Sequence, residues 1–255
     1  MTMSNDARSK TRRTAQNEAR LGVMIPASDV VVERDFARFL PKHISFHVAR
    51  LMQNIDVAAA SANSLDGMID YVPEAARALI PAETDLVLFC CTSASFYRGS
   101  RWNKELDEYV SRLTSRPAIT TSTALLRALD ALKAKRFYLV TPYPDHVNKN
   151  ECDFFQANGA EVCGVHTFDC ALSREIGDVT PDQILAGVVE KKNQAATADC
   201  VVISCTGLRS FEIAEKAEQL IGIPVITSNM ASLWVGLDYF GVENADLPQN
   251  ALFSA

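Results

Sequence analysis

The sequence predicts an α/β protein of two similar lobes, each a largely parallel sheet flanked by helices and the pair related by a pseudo-two-fold axis. Three observations carry this. Short apolar runs rich in Val, Ile and Phe alternate with longer stretches of helical periodicity, the pattern of βαβ units. The second half repeats the first: TDLVLFCCTSASFYRG aligns with ADCVVISCTGLRSFEI, and RPAITTSTALLRAL with IPVITSNMASLWVGL. And 255 residues is near the size at which one core stops growing and chains divide.

In chain order, the strands fall at 21–25 (LGVMI), 44–50, 85–91, 117–120, 136–141, 161–167, 199–204 and 223–227. The longest apolar stretches, Leu86–Cys91 and Cys200–Ile203, are strand-sized. Helical periodicity places helices at 64–80, 102–114, 122–134, 145–158, 181–193, 209–220 and 229–240. In DHVNKNECDFFQANG, Val147, Cys152 and Phe155 are expected to share the inner face, and Gly159 supplies the stop. Residues 1–20, polar throughout, read as a disordered tail. Residues 21–120 form the first lobe and 121–255 the second, with the helix at 229–240 free to pack on the first.

Composition removes several function classes. Twenty-five Lys and Arg against 31 Asp and Glu leave no basic excess for nucleic acid. No run approaches the ~20 apolar residues that span a bilayer, and the N-terminal segment lacks the apolar core of a signal peptide, so a cytoplasmic protein is expected. The seven cysteines at 90, 91, 152, 163, 170, 200 and 205 are odd in number and contain no C-x-x-C pair, which argues against a disulfide framework or a regular zinc site. His43, His47, His146 and His166 show no metal-ligand spacing either.

The repeat sorts the cysteines. Cys91 and Cys205 end equivalent strands; Pro26 precedes the first by 65 residues and Pro142 precedes the second by 63. In a duplicated α/β fold such strand ends meet at one cleft, which would bring two thiols onto it from opposite sides. Each is followed by small hydroxyl residues, Thr92-Ser93 and Thr206-Gly207, in turns able to aim N–H groups and hydroxyls at a carboxylate or an enolate oxygen. A thiol beside a helix N-terminus is expected to have its pKa lowered toward working pH. Cys90 should point to the opposite face of its strand, and it and the remaining four cysteines read as packing.

The strings CTSASFYRG, TPYPDHVN, ISCTG and GIPVITSN resemble the Asp/Glu racemase superfamily, in the branch of maleate cis-trans isomerases and arylmalonate decarboxylases. SDVVVERDFARF and CTSAS are also similar to the ectoine-utilisation proteins of that branch. The resemblance runs from about Leu21 to Gly241. It implies two Rossmann-like lobes with parallel four-stranded sheets, no metal, no organic cofactor, a small carboxylate substrate and a homodimer. It also implies that Cys91 and Cys205 are the catalytic pair, that Thr92, Ser93 and Thr206 form carboxylate-cradling turns, and that Tyr143 faces the substrate. The decarboxylases share SFYRG but carry Gly at the position of Cys91. The maleate isomerases carry Pro-Ser-Ser-Asn where this chain has Pro26-Ala27-Ser28-Asp29. A carboxylate there disfavours a dianionic substrate and suits an ammonium or another donor.

The expected function is therefore a two-cysteine isomerase acting at the carbon α to a carboxylate, of racemase type on an amino acid or a derivative. Maleate cis-trans isomerisation and arylmalonate-type decarboxylation are the alternatives, and a non-catalytic binding module is a third. Arg98, Arg101 and Arg209 follow the two motifs but read as solvated arginines, and Tyr97 and Trp102 as packing residues.

Overall fold

The computed structural model describes residues 18–52, 59–242 and 249–255. The first half of the chain runs β1 (Ala19–Pro26), α1 (Val32–Phe39), β2 (Ile44–Leu51), α2 (Ala62–Asp70), α3 (Val72–Leu79), β3 (Leu86–Phe89), α4 (Thr92–Phe96), α5 (Gly99–Thr114), β4 (Ala118–Thr120) and α6 (Thr121–Ala131). The second runs β5 (Arg136–Thr141), α7 (Asp145–Ala157), β6 (Glu161–Thr167), α8 (Ser173–Ile176), α9 (Pro181–Glu190), α10 (Lys192–Ala195), β7 (Cys200–Ile203), α11 (Phe211–Ile221), β8 (Val225–Thr227) and α12 (Ser228–Phe240). Both sheets are four-stranded and parallel, ordered β2-β1-β3-β4 and β6-β5-β7-β8. The duplicated sequence has made a duplicated topology.

The repeated Ile-Thr pairs show how. Thr120 and Thr227 each end the last strand of a sheet, and each side chain accepts the N–H three residues on, from Thr123 and Met230, capping α6 and α12. The two helices pack on each other, and α12 also lies on the first lobe's sheet. A Cβ added at Gly236 would stand 3.7 Å from Leu88 and 3.9 Å from Leu21, so α12 fits closely against β3 and β1. A helix apolar nearly all round is stable only when covered on most sides, and α12 is covered by both lobes.

Several expected boundaries move. Of the tail, residues 1–17 lie outside the described residues, while Ala19 and Arg20 already belong to β1, paired with Ile44 and Ser45 of β2. The helix expected at 64–80 is two helices that meet at Tyr71, with Pro73 in the first turn of the second. The helix expected at 181–193 likewise divides, at Lys191. α1 has no counterpart among the expected elements: Val30, Val31 and Val32 are β-branched and favour a strand, yet the helix starts at Val32, where Asp29 Oδ1 accepts the N–H groups of Val31 and Val32 at 2.8 and 3.0 Å. The inner face of α7 is rotated from the expected one: Val147, Asn148, Glu151, Phe154 and Phe155 are buried and Cys152 is only partly so.

Candidate functional site

The carboxyl ends of β1, β3, β5 and β7 surround a cavity of about 290 Å³. All seven residues singled out in the sequence line it: Asp29 after β1, Cys91, Thr92 and Ser93 after β3, Tyr143 after β5, and Cys205 and Thr206 after β7. One thiol comes from each lobe. Leu65 and Met68 of α2, Val30 and Ile176 form an apolar wall, and the exposed Arg174 and Asp178 stand at the mouth.

The two cysteine turns differ in detail. Cys91 is the N-cap of α4, and its sulfur is 3.7 Å from Ser93 Oγ and accepts the Ala94 N–H. Cys205 is followed by turns rather than a helix, since α11 begins only at Phe211. Its φ of +136° lies where glycine is favoured, a strained conformation for any side chain. Three bonds hold it there: Ser204 N–H to the Val140 carbonyl at 2.8 Å, Cys205 N–H to Ser228 Oγ at 3.0 Å and Leu208 N–H to the Cys205 carbonyl at 3.3 Å. The Cys205 sulfur accepts the Gly207 N–H and the Tyr143 hydroxyl.

The expectation that both thiols would be acidified is corrected. Burial pushes Cys91 up to about 11, despite the Ala94 N–H and the Ser93 hydroxyl, and pushes Cys205 higher still. Among the described residues no cation offsets the desolvation, and the Asp29 carboxyl adds to it at both sulfurs. The ordering has a chemical meaning: Cys91 is the more readily ionised thiol, while Cys205, backed by the Tyr143 hydroxyl, is suited to hold a proton and give it up.

Hydroxyls and amides join the two turns. Ser228 Oγ receives the Cys205 N–H and lies 3.0 Å from Thr92 Oγ1, so a single side chain touches both motifs. Thr206 Oγ1 donates to the Cys90 carbonyl at 3.4 Å across the lobe boundary. Asn229 Nδ2 donates to the Thr206 carbonyl at 3.0 Å and to Asp35 Oδ2 at 2.8 Å. Replacing Asn229 with leucine strands a buried carbonyl and a buried carboxyl, and is expected to cost about 2–4 kcal/mol in urea unfolding.

Sequence reasoning missed Ser228, Asn229, Asp35, Glu151 and the α2 wall. Ser228 had a signal, because it aligns with Thr121 in the repeat, and Thr121 Oγ1 performs a parallel task by donating to the Phe89 carbonyl at 3.2 Å. Residues set aside from the site stay outside the cavity. Arg98 pairs with Asp66 at 2.6 Å and lies over the Tyr97 and Trp102 rings; Arg101 pairs with Glu105 at 2.7 Å and Arg209 with Glu212 at 2.9 Å. Tyr97 and Trp102 bond to Asp66 and to the Ala94 carbonyl. Cys90 packs on the opposite side of the first sheet from Cys91. Among the described residues no three His, Cys, Asp or Glu side chains converge to hold a metal ion, and no helix is long and apolar enough to cross a membrane.

Three buried carboxyls give the fold a pH dependence. Burial raises Asp29, Asp35 to about 7, and Glu151 to about 8. A carboxyl raised in the folded state binds its proton more tightly there than in the unfolded chain. Its stabilising contribution is full below the unfolded value and is lost as pH rises through the folded one. Melting temperature is therefore expected to fall between about pH 5 and pH 8, each neutral carboxyl steepening the slope by about 1.4 kcal/mol per pH unit. A calorimetric pH series checks this, and a flat profile would contradict it.

Two parallel α/β lobes with one thiol from each at a shared cavity define a class, the α/β enzymes with a paired-cysteine cleft. A family model described as arylmalonate decarboxylase matches residues 21–253, and the chain belongs to that family. Similar curated proteins include an arylmalonate decarboxylase of Bordetella bronchiseptica, 27% identical over 214 residues and covering 84% of this chain and 87% of that one. A maleate isomerase of Nocardia farcinica is 26% identical over 239 residues, covering 90% of this chain and 91% of its own. Among solved structures, the Nocardia farcinica maleate cis-trans isomerase, as a cysteine-to-serine mutant with a covalently bound succinylcysteine intermediate, matches with a TM-score of 0.83 at 22% identity. That match covers 92% of this chain and 98% of the other. The chain is an enzyme, and its paired thiols are consistent with the isomerase class found among these relatives.

Proposed function

We propose that this protein is a two-cysteine isomerase acting at the carbon α to a carboxylate, of racemase type, on an amino acid or an amino-acid derivative. The observation that carries the reading is that Cys91 and Cys205 reach one cavity from different lobes, with Asp29 beside them. The substrate carboxylate would lie against the Cys91-Thr92-Ser93 and Cys205-Thr206-Gly207 turns. Cys91 as thiolate takes the α-proton, and the bonding pair moves onto the carboxylate as an enolate, stabilised by the turn N–H groups and hydroxyls. Cys205 then delivers its proton to the opposite face of the carbon. The turnover leaves Cys91 as thiol and Cys205 as thiolate, ready for the reverse direction.

Asp29 supports the choice of substrate. Burial holds its carboxyl above the ordinary range, so an ammonium placed beside it would draw it to the charged form and gain an ion pair. A second substrate carboxylate would instead meet like charge from the ionised form of Asp29 and gain at most a hydrogen bond from its acid form. Maleate isomerisation is the second reading, favoured by the names of the relatives. In it the Cys91 thiolate adds to the alkene, the pair moves to the neighbouring carboxylate as an enolate, the C–C bond rotates, and the C–S bond breaks to return the thiolate.

Incubation with single enantiomers of aspartate, glutamate and diaminobutyrate derivatives, with maleate, and with arylmalonates, followed by NMR and chiral chromatography, tests the choice. Inversion of an amino acid or its derivative is the expected result. Fumarate formation alone would move the assignment to cis-trans isomerisation, and CO2 release that survives Cys91→Ala would overturn the two-cysteine reading.

A further inference from the structure

Glu151 occupies an unusual place for a carboxylic acid. It lies on the inner face of α7 at 0% exposure, its Oε1 accepts the Ser204 hydroxyl, and its Oε2 has no hydrogen-bond partner. Ser204 immediately precedes Cys205, so the bond clamps the strained turn from behind. One helical turn earlier, Asn148 donates to the Tyr143 carbonyl at 2.8 Å and accepts from the Thr141 hydroxyl at 2.5 Å. α7 thus holds both the backbone that carries the Cys205 thiol and the backbone that carries its hydroxyl partner.

The surroundings of Glu151 are neutral. Burial and the Ser204 bond set its acidity, and no charged group contributes. The titratable side chains on which its charge bears are Tyr143 and, next in sequence, Cys152. α4, which packs on α7, carries no titratable side chain, and α5 and β6 on its other sides present none whose charge reaches the carboxyl. An ionised Glu151 would place negative charge behind the Tyr143 hydroxyl that supports the Cys205 sulfur, and two anions sharing a low-dielectric region oppose each other strongly.

We propose that Glu151 is a positioning residue for Cys205: as a neutral carboxyl anchored on Ser204 it fixes the turn and leaves Tyr143 able to support the thiolate, and when ionised it opposes that thiolate. Burial raises Glu151 to about 8, so its change of state lies close to neutral pH. The catalytic consequence rests on the two-cysteine reading above, but the effect on the thiol does not.

The test is alkylation of Cys205 by iodoacetamide in the full chain, followed peptide by peptide by mass spectrometry from pH 6.5 to 10, in wild type, Glu151→Gln and Glu151→Ala. In wild type the logarithm of the rate should rise with pH at a slope below one while Glu151 titrates, and at unit slope below and above that range. Glu151→Gln, whose amide oxygen can still accept from Ser204, should restore unit slope and react about tenfold faster near pH 9.5. Glu151→Ala, lacking the clamp, should react more slowly than Glu151→Gln at every pH. A unit slope in wild type across the whole range would overturn the electrostatic half of the proposal without any variant having to fold. Equal rates in Ala and Gln would overturn the clamp. Alkylation as expected together with no turnover on any acid would remove the isomerase reading and leave this one standing.

Discussion

Exchanging either Cys91 or Cys205 for serine is expected to lower turnover by about 10²–10⁴-fold, the usual worth of a positioned acid or base. Serine fills nearly the same space, so the turns and their N–H groups persist, and KM should change far less than kcat. What is lost is an ionisable sulfur. With both thiols raised by burial, activity in the wild type should climb with pH above neutrality, since a thiolate must form before the α-proton can leave. The two variants should also differ from each other. Starting from one enantiomer, Cys91→Ser should lose proton removal, whereas Cys205→Ser should still exchange the α-proton slowly through Cys91 without inverting the centre. Equal and small losses in both variants would mean that the thiols only line the cavity.

The second large effect belongs to Asp29→Asn. The amide keeps an oxygen for the Val31 and Val32 N–H groups, so α1 stays capped and folding stability should change little. The charge is removed from a buried site. Where an ammonium-bearing substrate would pair with Asp29, that pairing is lost, and the preference for such substrates over dianionic ones should fall about 10–100-fold, the scale of one charge–charge contact of a few kcal/mol. Because the Asp29 carboxyl also holds both thiols up, the same change should speed their alkylation. Asp29→Ala is the contrast, losing the cap as well, at about 1 kcal/mol. If Asp29→Asn left both the substrate preference and the thiol reactivity unchanged, the carboxyl would be a helix cap alone.

Much of the fold could be read in advance because the sequence states it twice. The two apolar strands that end in Cys-Thr, and the two Ile-Thr pairs before a helix, are local patterns whose meaning does not depend on distant contacts. α1 escaped notice because three consecutive valines favour a strand, whereas the helix begins at the last of them, with the Asp29 carboxyl accepting the Val31 and Val32 N–H groups at its start. The site residues on the strand-end loops were legible for the same reason as the strands. Glu151 was not. In KNECDFF a glutamate beside an asparagine reads as a solvated face, and the expected inner face through Cys152 placed it outside. Only the packing of α7 on α4, α5 and β6 shows that the helix is turned to bury it. The direction of the thiol shifts was missed on similar grounds: a helix N-terminus is visible in a sequence, whereas the depth of burial that outweighs it is a property of the assembled lobes.

The central claim is that one thiol removes the α-proton and the other returns a proton on the opposite face. Its most direct measurement is a reaction in D2O, started from a single enantiomer of the acid found to turn over and followed at early times by NMR. Deuterium confined at first to the inverted product, with the remaining substrate still protiated, is the predicted result. Deuterium appearing equally in both enantiomers from the start, or inversion that survives the loss of both cysteines, would contradict it.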